Sequence, residues 1–232
     1  MKLAIMQPYF LPYIGYFQLI AAVDDFIVYD NIKYTKKGWI NRNRMLVNGQ
    51  DSVFSLPIKK ASDSLDVRAR CLADDFSPDK LLAQFKGAYS RAPFFLDTFS
   101  LLESILLNDE RNLFDYIFAS IVQICKHLGI KTKIHISSAI DIDHQLKGQE
   151  RVLELCKAMG AATYINTSGG MALYSPDDFG NRGVDLKFIK STSLEYPQLG
   201  LPFIPWLSII DVLMFNSPDK VREYIFTHYE LI

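Results

Sequence analysis

Short apolar runs that stop at proline, aspartate or asparagine alternate along this chain with longer segments whose apolar positions recur every three or four residues. Lys2 to Met6 is one such run. It ends before Gln7-Pro8, as a buried strand ends at its carboxyl edge. Gln7 to Pro12 is an aromatic loop punctuated by proline. Tyr13 to Ala22, with apolar Ile14, Phe17, Leu19, Ile20 and Ala21, predicts a helix. Asp25 to Tyr29 predicts a second strand that closes at Asp30-Asn31. A strand–loop–helix–strand unit of this length suits a right-handed parallel crossover.

The pattern then changes. Lys33 to Arg44 is polar and basic, a loop with a short strand. Asn48-Gly49 lies between Met45-Leu46-Val47 and Asp51 to Leu56, which predicts a hairpin turn. Leu65 to Arg70 alternates as a strand would. Ser77-Pro78 predicts a serine-capped helix start with proline at the first helical position. Helices are expected over 78–90, 95–107 and 112–128, the last stopped by Gly129. Further strands are expected at Lys133 to Ser137, Thr163 to Asn166 and Leu186 to Ile189. Helices are expected at Gln149 to Met159, Ser208 to Phe215 and Pro218 to Thr227. Strand–helix alternation at both ends predicts an α/β fold with a mostly parallel, Rossmann-like sheet. One domain over 1–232 is expected, with a mainly helical section inserted around 77–128.

Composition narrows the function classes. Over 232 residues the formal net charge is −1, so no broad basic field offers itself to nucleic acid. The opening apolar run is too short for a secretory signal, and no stretch is long enough to span a membrane. The three cysteines, Cys71, Cys125 and Cys156, are widely spaced and form no CxxC, which fits reduced thiols in a cytoplasmic protein.

Four constellations carry candidate chemistry. Gln7, Tyr9, Tyr13, Gly15 and Tyr16 follow the first strand, where open α/β sheets bind ligands against a helix start. Gly15 would let a ligand approach the backbone. The same residues also suit an aromatic core plug. Asp30 ends the second strand, and Lys36, Lys37, Arg42 and Arg44 follow as a basic cluster interleaved with Trp39, Asn41 and Asn43. Guanidinium forks hold phosphate and an indole stacks on a base or sugar, so an anionic ligand such as a nucleotide-sugar is favoured over a merely solvated face. Ser168-Gly169-Gly170 after a strand forms either an anion nest or a plain turn. Ser208-Ile209-Ile210-Asp211 reads first as a capped helix start. No P-loop, no Gly-x-Gly-x-x-Gly and no Gly-x-Ser-x-Gly elbow occurs. The four histidines are scattered, so a metal site is not expected.

The run from Met6 to Ile20 resembles the opening signature of the WbqC-like family. So, in order and spacing, do Asp30, Lys37 to Arg44, Ser168-Gly169-Gly170 and Ser208 to Asp211. Members of that family accompany bacterial O-antigen and other surface-polysaccharide gene clusters. The resemblance implies a cytoplasmic enzyme that makes or modifies an activated sugar, often an amino sugar. Tyr13-Ile14-Gly15-Tyr16 also stands where nucleotidylyltransferases and pantothenate-synthetase-like ligases (the HUP-like group) carry His-x-Gly-His, with both histidines replaced by tyrosine. A tyrosine donates only as a neutral group, which leaves the basic cluster to supply charge.

Together these resemblances imply acyl or aminoacyl transfer to an amine, with ATP or acyl-CoA as the cofactors to expect. Asp30, Arg42 and Arg44 are the catalytic candidates. Gln7, Tyr9, Tyr13, Gly15, Tyr16, Lys37, Trp39, Asn43, Ser168, Gly169, Gly170 and Asp211 are the substrate-binding ones. A sugar nucleotidylyltransferase and a non-catalytic, sugar-nucleotide-binding accessory protein remain as alternatives. The partners expected are a nucleotide-linked sugar and a second copy of the chain in a homodimer, with neither nucleic acid nor membrane.

Overall fold

A computed structural model describes residues 1–200 and 202–232. The unit read from the first apolar runs is present. Strand β1 (Lys2–Met6) leads through Gln7 to Tyr13 into helix α1 (Ile14–Ala21) and strand β2 (Asp25–Val28), which pairs parallel to β1. A hairpin of β3 (Arg42–Val47) and β4 (Gln50–Ser55) follows. Its turn holds Asn48 at φ 51° and Gly49 at φ 75°, and two such residues in succession are what an Asn-Gly turn supplies. The helical section is α2 (Pro78–Tyr89), α3 (Phe95–Leu106) and α4 (Leu113–His127). Then come β5 (Lys133–Ile136), α5 (Gly148–Met159), β6 (Thr163–Thr167), α6 (Pro176–Asn181), β7 (Asp185–Ser191), α7 (Ile209–Phe215), α8 (Pro218–Thr227) and β8 (Tyr229–Leu231).

The main sheet has six strands in the order β5-β2-β1-β6-β7-β8, parallel except for β8. From β1 the chain builds outward through β2 and β5. It then returns to the opposite side of β1 for β6 and β7. The direction of building therefore reverses between β1 and β6, the Rossmann-like arrangement whose crevice opens beyond the carboxyl ends of those strands. All four residues of β2 are buried, as a parallel strand covered on both faces requires.

Each face of the sheet is covered by its own apolar cluster. Leu3, Ile5, Val152, Leu155, Tyr164 and Phe179 pack on the α5–α6 side. On the other side Ala4, Phe17, Phe26 and Ile165 share one cluster with the hairpin and with all three helices of the helical section. The contact is specific: the Phe54 and Phe85 rings meet at 5.0 Å, and Thr98 donates to the Leu213 carbonyl at 3.0 Å. Helix α4 shows why such a segment folds. Leu113, Tyr116, Ile117, Ile121 and Ile124 form one buried stripe, Asn112 caps the start, and Gly129 at φ 68° ends it.

Some local expectations are corrected. Leu65 to Arg70 does not form a strand; Val67–Ala69 is a 3₁₀ turn. Its backbone donors are taken by the segment after β2, with Val67 donating to Ile32 O at 2.8 Å and Arg68 to Asp30 O at 3.1 Å. The Ser77 side chain makes no capping bond, whereas those of Ser208 and Ser217 do. No helix among the described residues is long and apolar enough to cross a membrane.

Candidate active site

The loop after β1 is pinned from several directions. The Tyr16 hydroxyl donates to Gln7 O at 2.9 Å. The Asn43 amide donates to Leu11 O at 2.9 Å and to Phe10 O at 3.3 Å, and Ser208 Oγ donates to Leu11 O at 2.7 Å. Leu11 has φ 45°, a conformation that costs a non-glycine residue about 1–3 kcal/mol. Those two side-chain donors on its carbonyl hold it there. Asn43 and Ser208 are therefore scaffolding for the loop, and Tyr16, 2% exposed, is a core residue with a bonded hydroxyl.

What the loop presents is Tyr9 and Tyr13. With Pro12, Trp39, Asn43, Arg44 and Trp206 they line a cavity of about 270 Å³. Tyr13 and Trp206 stand edge to face with ring centroids 6.0 Å apart. They are shared with a second cavity of about 310 Å³ on their other side, where Gln18, Ser191, Thr192, Glu195 and Tyr196 are among the lining residues. The two form one two-lobed cleft divided by an aromatic pair. Burial pushes the Tyr9 and Tyr13 hydroxyls above the usual phenol range, with Tyr13 adding to the effect at Tyr9. Both stay neutral donors. Gly15 lies beneath the Tyr13 ring: a Cβ there would stand 2.3 Å from Tyr13 Cε2. The glycine thus serves the ring's placement.

The basic cluster is largely committed to its own scaffold. The Arg42 guanidinium donates to the carbonyls of Gly38, at 2.9 Å, and Lys37. Arg44 donates to Asp51 at 3.1 Å and to the Trp206 carbonyl at 3.0 Å. Both guanidinium groups lie over the half-exposed Trp39 ring, 5.6 and 5.9 Å from its centroid. Lys37 is exposed.

The remaining sequence candidates lie elsewhere. Asp30 is 3% exposed and accepts from Ser137 Oγ at 2.9 Å, Ser138 N at 2.9 Å and Ser138 Oγ at 2.5 Å. Its carboxylate ties the end of β2 to the segment after β5. Ser168, Gly169 and Gly170 open a 3₁₀ run after β6, beside the end of β1, and Gly170 backs onto the Asn166 amide. Asp211 is fully buried. Tyr196 donates to it at 2.6 Å, Gln198 at 2.8 Å and Tyr89 at 2.9 Å.

Residues 192–208 join β7 to α7 without regular structure over the described part, and no sequence candidate precedes Ser208 in that stretch. They supply Glu195, Tyr196 and Trp206 to the cleft. A signal was present, since loops of this length inside compact folds are uncommon and carry function. Trp206 also has φ 60° and is half-exposed, a second mark of a residue held for use.

The WbqC-like protein family matches over residues 7–223, from the loop after β1 into α8. This chain belongs to that family. A relative, the uncharacterised protein Rv1507c of Mycobacterium tuberculosis, is 28% identical over 231 residues, 97% of each chain. No solved structure matches the chain. Family membership and the Rossmann-like sheet agree with the resemblance carried by Met6 to Ile20 and Lys37 to Arg44.

Proposed function

We propose that this WbqC-like protein is a cytoplasmic transferase or ligase of bacterial surface-polysaccharide synthesis. It joins an acyl or aminoacyl group to the amine of a nucleotide-linked amino sugar. The observation that carries this reading is the two-lobed cleft beyond β1, divided by Tyr13 and Trp206. The lobe with Tyr9, Trp39 and Arg44 suits a base or sugar face: flat aromatic walls, neutral hydroxyl donors and a cationic rim.

The other lobe contains Glu195, an exposed carboxylate with no ion pair among the described residues. Asp30 is saturated by serine donors, so Glu195 is the better group to hold a substrate amine. It would take the proton released as the C–N bond forms and the bond to the acyl group's carrier breaks. A base placed in this way contributes about 10²–10⁴-fold in rate.

The test is a melting-shift and calorimetric screen of nucleotide-sugars, ATP and acyl-CoA. It is followed by mass spectrometry of a nucleotide-linked amino sugar incubated with each donor. The expected result is binding that Tyr13→Ala and Trp206→Ala weaken, and a product heavier by one acyl or aminoacyl group. Glu195→Gln should bind but turn over about 100-fold more slowly or worse. Failure of every ligand class to bind ends the reading. Pyrophosphate release from a nucleotide and a sugar phosphate without an amine replaces it with nucleotidyl transfer.

A further inference from the structure

Helix α5 begins at Gly148 on the opposite side of the sheet from α1, beside a cavity of about 800 Å³ that shares no lining residue with the two-lobed cleft. Its first turn has no side-chain cap, so its backbone N–H groups and the positive end of its dipole are unanswered there. Cations gather at the same place. Lys33, Arg68, Lys147 and Arg151 all line the cavity.

Their ordinary partners are few. Lys33 and Lys147 are exposed and make no ion pair among the described residues. Arg68 lies 3.8 Å from Asp30 and 3.9 Å from Asp66, a lining residue. Glu150, the acid in the helix's first turn, is turned to Arg182 at 2.8 Å. Arg151 is 9% exposed. It donates to the carbonyl and side chain of Asn31 and stacks on the Tyr29 ring at 5.0 Å, and its buried Nε–H has no partner. A buried guanidinium with an unmet donor, a bare helix start and two unpaired lysines in one concavity all ask for negative charge. The hollow shape and the chain's net charge of −1 fit a small ligand better than a polyanion.

We propose that this cavity binds the phosphate group of a phosphorylated small molecule at the amino end of α5, with Lys33, Lys147 and Arg151 as its cations. The phosphate oxygens accept from the first-turn N–H groups, as anions do at other helix starts. Lys33 and Lys147 add charge from the rim. Arg151, tied to the end of β2 through Asn31, links occupancy of the cavity to the sheet's carboxyl edge.

The experiment uses the full chain with sodium pyrophosphate and sodium phosphate as probes, titrated calorimetrically at low and moderate salt. Because Arg151 also supports the fold, the variant is the exposed pair Lys33→Ala/Lys147→Ala, with Trp206→Ala as the control in the other cavity. The expected result is pyrophosphate binding that weakens with salt, falls about fivefold or more in the lysine pair, and is unchanged in Trp206→Ala. Absence of binding at millimolar pyrophosphate overturns the proposal. So does a smaller loss in the lysine pair, or loss of binding in Trp206→Ala. The amide-forming reading rests on the other cavity and stands or falls by its own screen.

Discussion

Asp211 receives donors from Tyr89, 122 residues away, and from Tyr196 and Gln198 in the loop before α7. It thereby fastens the segment that carries Glu195 and Trp206 to the helical section. Replacing it by asparagine leaves one accepting oxygen for three donors. Asp211→Asn should lower stability by about 1–3 kcal/mol, read from the urea midpoint. Burial outweighs those hydrogen bonds and raises the Asp211 pKa. The folded chain therefore favours the neutral acid more than the unfolded chain does. That stability is full below the ordinary carboxylate range and is lost as pH rises through the raised value. The margin of the wild type over Asp211→Asn should narrow from acid toward neutral pH. A widening margin would mean that the hydrogen-bonded carboxylate is the stabilising form. Cys125 and Cys156 carry a simpler prediction: burial pushes both thiols up to about 12. In native protein near neutral pH, only the partly exposed Cys71 should react with a thiol reagent, and denaturant should release the other two. The Ser208 cap was legible beforehand, because capping is local. The Asp211 cage was not, because the sequence around Ser208-Ile209-Ile210-Asp211 contains none of its donors.

Elements show the same division between local and distant causes. The hairpin was legible from Asn48-Gly49, and the end of α4 from Gly129, which lies in the left-handed region. The α6 helix of six residues and the three-residue β8 are too short to leave a periodic trace, and their places are set by neighbours already folded. Leu65 to Arg70 had strand-like alternation, yet its backbone donors found the segment after β2 and it turned instead. The loop after β1 depends on an element 32 residues later, through Asn43 on β3. Asn43→Ala should strand the buried Phe10 carbonyl and leave Leu11 O with Ser208 as its remaining side-chain donor, at a cost of about 1–3 kcal/mol by denaturant titration. Gly15→Ala acts differently. Its methyl must push the Tyr13 ring aside, and that side chain borders an open cleft. Little stability should be lost, while affinity for a nucleotide-sugar falls. Unchanged affinity would remove Tyr13 from the binding wall.

At the scale of the whole molecule, the strand order sets where ligands can sit. Building outward from β1 and then returning for β6 places the topological switch point at the carboxyl ends of those two strands. One face of the sheet carries the cleft at Tyr13 and Trp206, the other the cavity at α5. The family signature marked the first, since Tyr9, Tyr13, Trp39 and Arg44 lie within short stretches of chain. The second draws on Lys33, Arg68, Lys147 and Arg151, from three separate segments, and no local pattern brings those together. Two independent sites have a measurable consequence. A ligand at about a hundred times its Kd stabilises the folded state by about 2.7 kcal/mol. For a chain of this size that is a rise of about 5–11 °C in Tm. If a nucleotide-sugar fills the cleft and pyrophosphate fills the α5 cavity, saturating both should give a shift close to the sum of the two. If both compete for a single site, the second ligand should add almost nothing once the first is saturating. A combined shift greater than the sum would mean that the sites favour each other. The carboxyl edge of the sheet, where Arg151 grips Asn31 and Gln7 begins the β1 loop, is the path such coupling would follow.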